Sequence, residues 1–85
     1  MYYLYILKSL NYNRRYIGIS GNLEKRIVYH NSGNVSSTKV YLPWKIVYAE
    51  SYPTKKEARI REIFLKKTAK ARIELFAKID KAPIV

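Results

Sequence analysis

Apolar and polar positions change their period several times along the chain, and each change marks an element. Tyr2-Tyr3-Leu4-Tyr5-Ile6-Leu7 is an unbroken run of aromatic and branched aliphatic residues that suits a pleated, half-buried strand. Asn11-Tyr12-Asn13 supplies turn chemistry and Arg15-Tyr16-Ile17-Gly18-Ile19 reads as the returning strand, so the opening segment predicts a β-hairpin. A helical pattern follows over Leu23 to Asn31, with Asn22 as N-cap, Gly33 in the place of a C-terminal cap, and Leu23, Ile27 and Val28 available to a core. Ser32 to Lys39 is polar loop material. Pro43-Trp44-Lys45-Ile46-Val47-Tyr48-Ala49 predicts a third strand, with Pro43 at its start, where a missing N–H is tolerated. Thr54-Lys55-Lys56-Glu57 is a capping box that opens a second helix running to about Lys67. Ala69, Ile73, Phe76 and Ala77 then mark a last helix, about 69–80, that stops before Pro83.

The resulting order, ββαβαα, predicts an α/β (α+β) fold: a small, mainly antiparallel three-stranded sheet flanked by helices. With no internal repeat, linker or low-complexity segment, the 85 residues read as a single domain, 1–85. Seventeen Lys and Arg against six Asp and Glu give a formal net charge of +11, spread along the chain instead of gathered in a tail. That surplus favours a polyanionic partner, nucleic acid first and an anionic membrane surface second. The absence of cysteine removes disulfides, thiolate nucleophiles and Cys-based zinc sites, and a single histidine, His30, excludes a His-rich metal cage. No stretch is long and apolar enough to cross a membrane, and the first residues alternate with tyrosines as a strand does, unlike a signal peptide, so the expected setting is cytoplasmic.

No Gly-rich phosphate loop, Ser/His/acid triad or close carboxylate pair is present. The remaining candidates are Tyr5 and Tyr16 on paired strands, Arg26 and His30 four apart on one helix face, and Glu62 on the second helix. Each has a plainer reading beside the chemical one. The tyrosines suit a strand wherever they stand, though paired strands let their hydroxyls converge. Arg26 is either a solvated charge or the partner of Glu24 or Glu50, and a lone His30 packs or caps more often than it catalyses. Glu62 is spaced to pair with Lys66, yet Ala58 and Leu65 beside it make its face small and apolar, where a carboxylate needs a compensating cation.

These residues resemble the GIY-YIG nucleases. Tyr16-Ile17-Gly18 matches the second half of the family signature, and Tyr3-Leu4-Tyr5 stands where the first half falls, with Tyr3 in place of its glycine. Arg26 falls where the family's helix arginine does, with His30 one turn on, and Ala58-Arg59-Ile60-Arg61-Glu62 with Leu65-Lys66 is similar to the segment holding the metal-binding glutamate. Thr38-Lys39 and Pro43-Trp44 are similar to a pattern in the short stand-alone members and in structure-selective nucleases. The late asparagine of many relatives has no counterpart after Glu62. The resemblance spans about residues 2–68.

It implies an endonuclease that hydrolyses DNA phosphodiester bonds with one Mg²⁺ (or Mn²⁺) ion on Glu62, structure-selective and acting in DNA repair or recombination. Tyr5 would be general base toward water with His30 in support, Tyr16 would orient water or phosphate, and Arg26 would stabilise the transition state. Nearby cations would favour the Tyr5 phenolate. Branched or structured DNA is the expected partner, with room for a targeting protein and no membrane. Lys39, Lys45, Lys66, Lys67 and Lys70, with Lys55, Lys56 and Arg72, are the expected DNA-backbone contacts, although any one of them alone reads as solvated surface. The competing reading is a catalytically inert nucleic-acid-binding module on the same fold; a weaker one is a protein or membrane-surface binder that uses the basic C-terminal helix.

Overall fold

The structure, a computed structural model, describes residues 1–81. Its elements are β1 (Tyr2–Ser9), β2 (Arg15–Ser20), α1 (Leu23–Asn31), a 3₁₀ turn (Lys39–Tyr41), β3 (Trp44–Tyr52), α2 (Lys55–Lys67) and α3 (Ala69–Lys81). The ββαβαα order and the three-stranded antiparallel sheet agree with expectation, and the strand order is β2-β1-β3. The expected stop before Pro83 lies outside the described residues.

β1 is the middle strand, and Leu4, Tyr5, Ile6 and Leu7 are all buried. A strand covered on both faces has no solvent side on which to alternate, which is why its sequence is an unbroken apolar run. On one face Leu4, Ile6 and Ile17 pack with Leu65 of α2 and with Leu75, Phe76 and Ile79 of α3. On the other, Tyr5, Leu7 and Trp44 pack with Tyr16, with Leu23 and Ile27 of α1, and with Tyr41 and Leu42 of the loop. A bulge opposite Ile6 and Leu7 places Val47 between Ile46 and Tyr48 in β3 and keeps both ends of that strand in register with β1.

The caps behave as their chemistry dictates. The Asn22 side chain accepts from the Lys25 N–H at 3.0 Å and that of Thr54 from the Glu57 N–H at 3.3 Å. Gly33 follows α1 at φ +82°, the left-handed conformation that ends a helix, and returns its N–H to the His30 carbonyl. Val28, expected in the core, is 68% exposed. The inward face of α1 is used by Leu23, Ile27 and His30, and the residue after Ile27 is turned about 100° away from it.

β3 continues past the expected Ala49 to Tyr52 because a polar residue on its inner face is fully partnered. Glu50 accepts from the hydroxyls of Tyr48 and Tyr52, the latter at 2.6 Å, and from Arg61 Nε and Nη2 at 3.0 and 3.1 Å. Burial alone would push the Glu50 carboxyl up, but these hydrogen bonds outweigh it and hold it below the usual carboxylate range. The bidentate pair joins β3 to α2 one residue before Glu62, so it sets where α2 lies along the sheet. Arg15 on β2 is likewise tied to Asp80 near the end of α3 and lies over the Phe76 ring.

Replacing Glu50 by Ala leaves a guanidinium and two phenols without their acceptor in a half-buried layer. Glu50→Ala is expected to lower stability by at least about 2 kcal/mol, read as a fall in the urea midpoint, while Glu50→Gln, which keeps an acceptor, costs less.

Candidate active site

The five expected residues come from four elements, among them β2, an edge strand. Tyr5 is on the central strand, Tyr16 on β2, Arg26 and His30 on α1, and Glu62 on α2. Tyr5 and Tyr16 are diagonal partners, since Tyr5 lies opposite Gly18 and Leu7 opposite Tyr16, and their ring centroids are 6.3 Å apart. The His30 ring lies 4.8 Å from that of Tyr16 and 6.1 Å from that of Tyr5.

Gly18 explains how the Tyr5 ring reaches the edge. A Cβ added there would stand 2.6 Å from the Tyr5 hydroxyl oxygen, 2.7 Å from its Cζ and 2.9 Å from Tyr16 Cε2. The Tyr5 ring crosses directly over the position that any other residue would fill. Glycine is required here for close approach, not for backbone conformation.

The Tyr5 hydroxyl and His30 Nε2 are 3.0 Å apart, and His30 Nδ1 is 3.0 Å from Thr38 Oγ1, with all three side chains buried. Thr38 Oγ1 in turn reaches the Val35 carbonyl at 3.4 Å, and since a carbonyl only accepts, the proton positions follow along the chain. Thr38 donates to Val35, His30 Nδ1–H donates to Thr38, and Tyr5 donates to an unprotonated Nε2. Burial, with the Arg26 charge adding to it, lowers the His30 pKa and favours this neutral imidazole.

The Tyr5 pKa moves opposite to expectation. Burial is the largest cause and raises it; Tyr16 and Glu62 raise it further, and the opposing pull of Arg26 is too weak to compensate. Tyr5 is therefore a neutral phenol, and the nearby cation does not create a phenolate.

Glu62 is 5% exposed between Ala58 and Leu65, both fully buried. Its two oxygens accept from Arg59 Nη1 and Lys66 Nζ, each at 3.0 Å. The Lys66 pairing of the plainer reading is thus present, together with a second from Arg59, while Lys66 Nζ also lies 5.9 Å from the Tyr16 ring. Both partners are long side chains more than half exposed, whereas the carboxylate that they hold is buried. Among the described residues Arg26 pairs with neither Glu24 nor Glu50; its guanidinium lies 5.6 Å from the Tyr29 ring.

Among the described residues no group of three or more acidic or histidine side chains could hold a metal. A single buried carboxylate already drawing two cations fits the lesser demand of Mg²⁺, which takes one or two carboxylates and completes its shell with water and phosphate oxygens.

Of the expected backbone contacts, Lys66 and Arg72 line a cleft of about 470 Å³ beside Tyr16, together with Arg14 and Arg15. Lys39, Lys45, Lys67 and Lys70 are exposed and do not line it. Thr38 is the residue whose function sequence reasoning missed. Its place in the Thr38-Lys39 and Pro43-Trp44 pattern was the available signal, and the structure supplies the physics: Trp44 Nε1–H donates to the Thr38 carbonyl at 2.8 Å. Asn31 brackets the Trp44 backbone with two further hydrogen bonds, joining the end of α1 to β3 and holding the His30 ring in place.

The fold is that of a GIY-YIG catalytic domain. The model of that family matches residues 1–75, and the chain belongs to it. It is 40% identical over 79 residues to UPF0213 protein CPE1444 of Clostridium perfringens, covering 91% of this chain and 84% of that one. With UPF0213 protein YazA of Bacillus subtilis the identity is 36% over 76 residues, 88% of this chain and 76% of the other. The solution structure of UPF0213 protein BH0048 from Bacillus halodurans superposes with a TM-score of 0.57 at 26% identity, covering 96% of this chain and 87% of that one. The domain is that of a nuclease family, and among the described residues no helix is long and apolar enough to cross a membrane.

A histidine buried neutral has a folded-state pKa below its unfolded value of about 6.5, so below that pH the unfolded chain binds more protons. The stability this group contributes is complete above about pH 6.5 and is lost as pH falls toward the folded-state pKa. Melting temperatures between about pH 7.5 and 5.5 are expected to fall in the wild type and to flatten in His30→Gln. Thr38→Val, which strands the Nδ1–H, is expected to cost about 1–3 kcal/mol in the same assay at neutral pH.

Proposed function

We propose that the protein is a divalent-metal-dependent DNA endonuclease in which Tyr5 and His30 act as one proton relay. The observation that carries this reading is the 3.0 Å contact between the Tyr5 hydroxyl and an unprotonated His30 Nε2, within reach of the charges of Arg26 and Glu62. A neutral phenol cannot accept a proton from water until its own leaves. As water gives its proton to the Tyr5 oxygen, the Tyr5 proton passes to Nε2, and the positive charge that develops on His30 stays oriented by Thr38. Tyr16 lies beside both rings and orients the attacking water or the phosphate. Arg26 offers a permanently charged fork that pairs with no carboxylate among the described residues, suited to the charge that builds on the phosphoryl oxygens. Glu62 would hold Mg²⁺ or Mn²⁺, which when bound polarises the phosphate and neutralises the leaving oxygen.

The net charge of +11 and the Arg14, Lys66 and Arg72 side chains beside Tyr16 support nucleic acid as the substrate. No helix carries the features of a base-reading module, which favours recognition of branched or structured DNA by shape, in repair or recombination in the cytoplasm. The engaged oxygens of Glu62 are the observation that favours the inert-module reading, so the test turns on this residue.

Purified protein incubated with flapped, branched and linear DNA is expected to nick in Mg²⁺ or Mn²⁺ and to stop with chelator. Glu62→Ala is expected to abolish cutting with DNA affinity changed less than about threefold, since binding rests on the basic surface. Cutting by Glu62→Ala at the wild-type rate, or in chelator, would refute the metal assignment; absence of cutting in every condition with DNA binding intact would leave the inert module. Binding itself is expected to weaken with salt, with a log–log slope of about −0.9 for each phosphate neutralised.

A further inference from the structure

A second cleft, of about 630 Å³, opens at the other end of β2 and shares Arg26 with the candidate active site. Its walls combine two tyrosine rings, Tyr2 and Tyr29, with the cations of Lys25 and Arg26, and Ser20 and Asn22 lie at its floor. The two polar residues are already committed. The Ser20 hydroxyl and the Asn22 backbone bond each other in both directions at 3.0 Å, and the Asn22 side chain caps α1. These bonds tie Ser20 and Asn22 to the start of α1. What remains for a ligand is aromatic surface and positive charge.

Tyr29 is 45% exposed at the mouth of the cleft, with the Arg26 guanidinium 5.6 Å from its ring centroid. The Tyr2 ring rests on Gly21, where an added Cβ would come within 3.2 Å of it, and Lys55 Nζ is 5.9 Å from that ring. Rings and cations that alternate beside a phosphate site are the elements of single-strand recognition, in which a base stacks on an aromatic ring or guanidinium while cations follow the backbone. An aromatic ring holds a base by its flat face, and every base has one.

We propose that this cleft is a nucleobase subsite, in which Tyr29 and Tyr2 stack an unpaired base of the nucleotide next to the scissile phosphate. The proposal rests on the endonuclease reading for the position of that phosphate and deepens it by naming the substrate class. A base inside an intact duplex is stacked on its neighbours and cannot enter, so the site takes single-stranded, flapped or gapped DNA and tolerates any base sequence.

The test compares binding by fluorescence anisotropy, in chelator, of a short labelled oligothymidylate and an abasic strand of equal length and charge. Wild-type protein is expected to prefer the strand with bases by roughly 5- to 100-fold, the range of one or two stacked bases. Tyr29→Ala is expected to lose most of that preference by weakening only the strand with bases, and Tyr29→Phe, which keeps the ring, is expected to retain it. Equal affinity of wild type for the two strands, or an undiminished preference in Tyr29→Ala, overturns the subsite. The two readings fail separately: a preference that depends on Tyr29 without cutting of any DNA supports the subsite and refutes the endonuclease, whereas metal-dependent cutting without a base preference refutes the subsite alone.

Discussion

A phenol and an imidazole hydrogen-bonded at 3.0 Å inside a 10.0 kDa domain constrain most of what surrounds them. Neither ring is exposed, so each polar atom must find a protein partner, and the chain is arranged to provide them. Gly18 leaves room for the phenol to cross the edge strand, Thr38 accepts from the far side of the imidazole, and Trp44 and Asn31 secure the loop and helix end that bring Thr38 and His30 together. Remove any of these and a buried donor or acceptor is left alone, which is costlier than any single contact is favourable. The site is thus built into the second core layer and is not a set of side chains placed on its surface.

The acidic candidate comes from the opposite layer. Glu62 belongs to α2, which packs on the face of Leu4, Ile6 and Ile17, and the tyrosines and His30 belong to the face beneath α1. Only at the edge strand can residues from the two layers meet, because there the sheet no longer separates them. The Glu50–Arg61 pair sets where α2 lies against the sheet and so where Glu62 emerges. The local excess of mobile cations around Glu62 serves the folded protein by balancing a buried charge, and the same excess suits a polyanionic substrate.

Two basic clefts flank this edge, and each carries aromatic residues: Tyr16 and Phe76 with Arg14, Arg15, Lys66 and Arg72 in one, Tyr2 and Tyr29 with Lys25 and Arg26 in the other. The proposed subsite accounts for a tyrosine that the core does not absorb. Of the nine in the chain, Tyr29 is 45% exposed beside Arg26, where burial alone gives no reason for an aromatic ring.

The order of elements, the N-caps of α1 and α2 and the end of α1 were legible in the chain itself, which also nominated the five candidate residues. Those features depend on neighbours within a few positions: a capping side chain reaches three residues on, and periodicity is a local property. Tertiary structure alone decided that β1 is the middle strand, that Val28 faces outward, that β3 continues through Glu50, that Thr38 orients His30 and that the Tyr5 proton is held more tightly instead of released. Sheet order is a choice among distant pairings, and a pKa is set by burial and by charges that the sequence places tens of residues away. Residue types could nominate the chemistry, but only the packing of two layers around one edge strand could say where each proton resides.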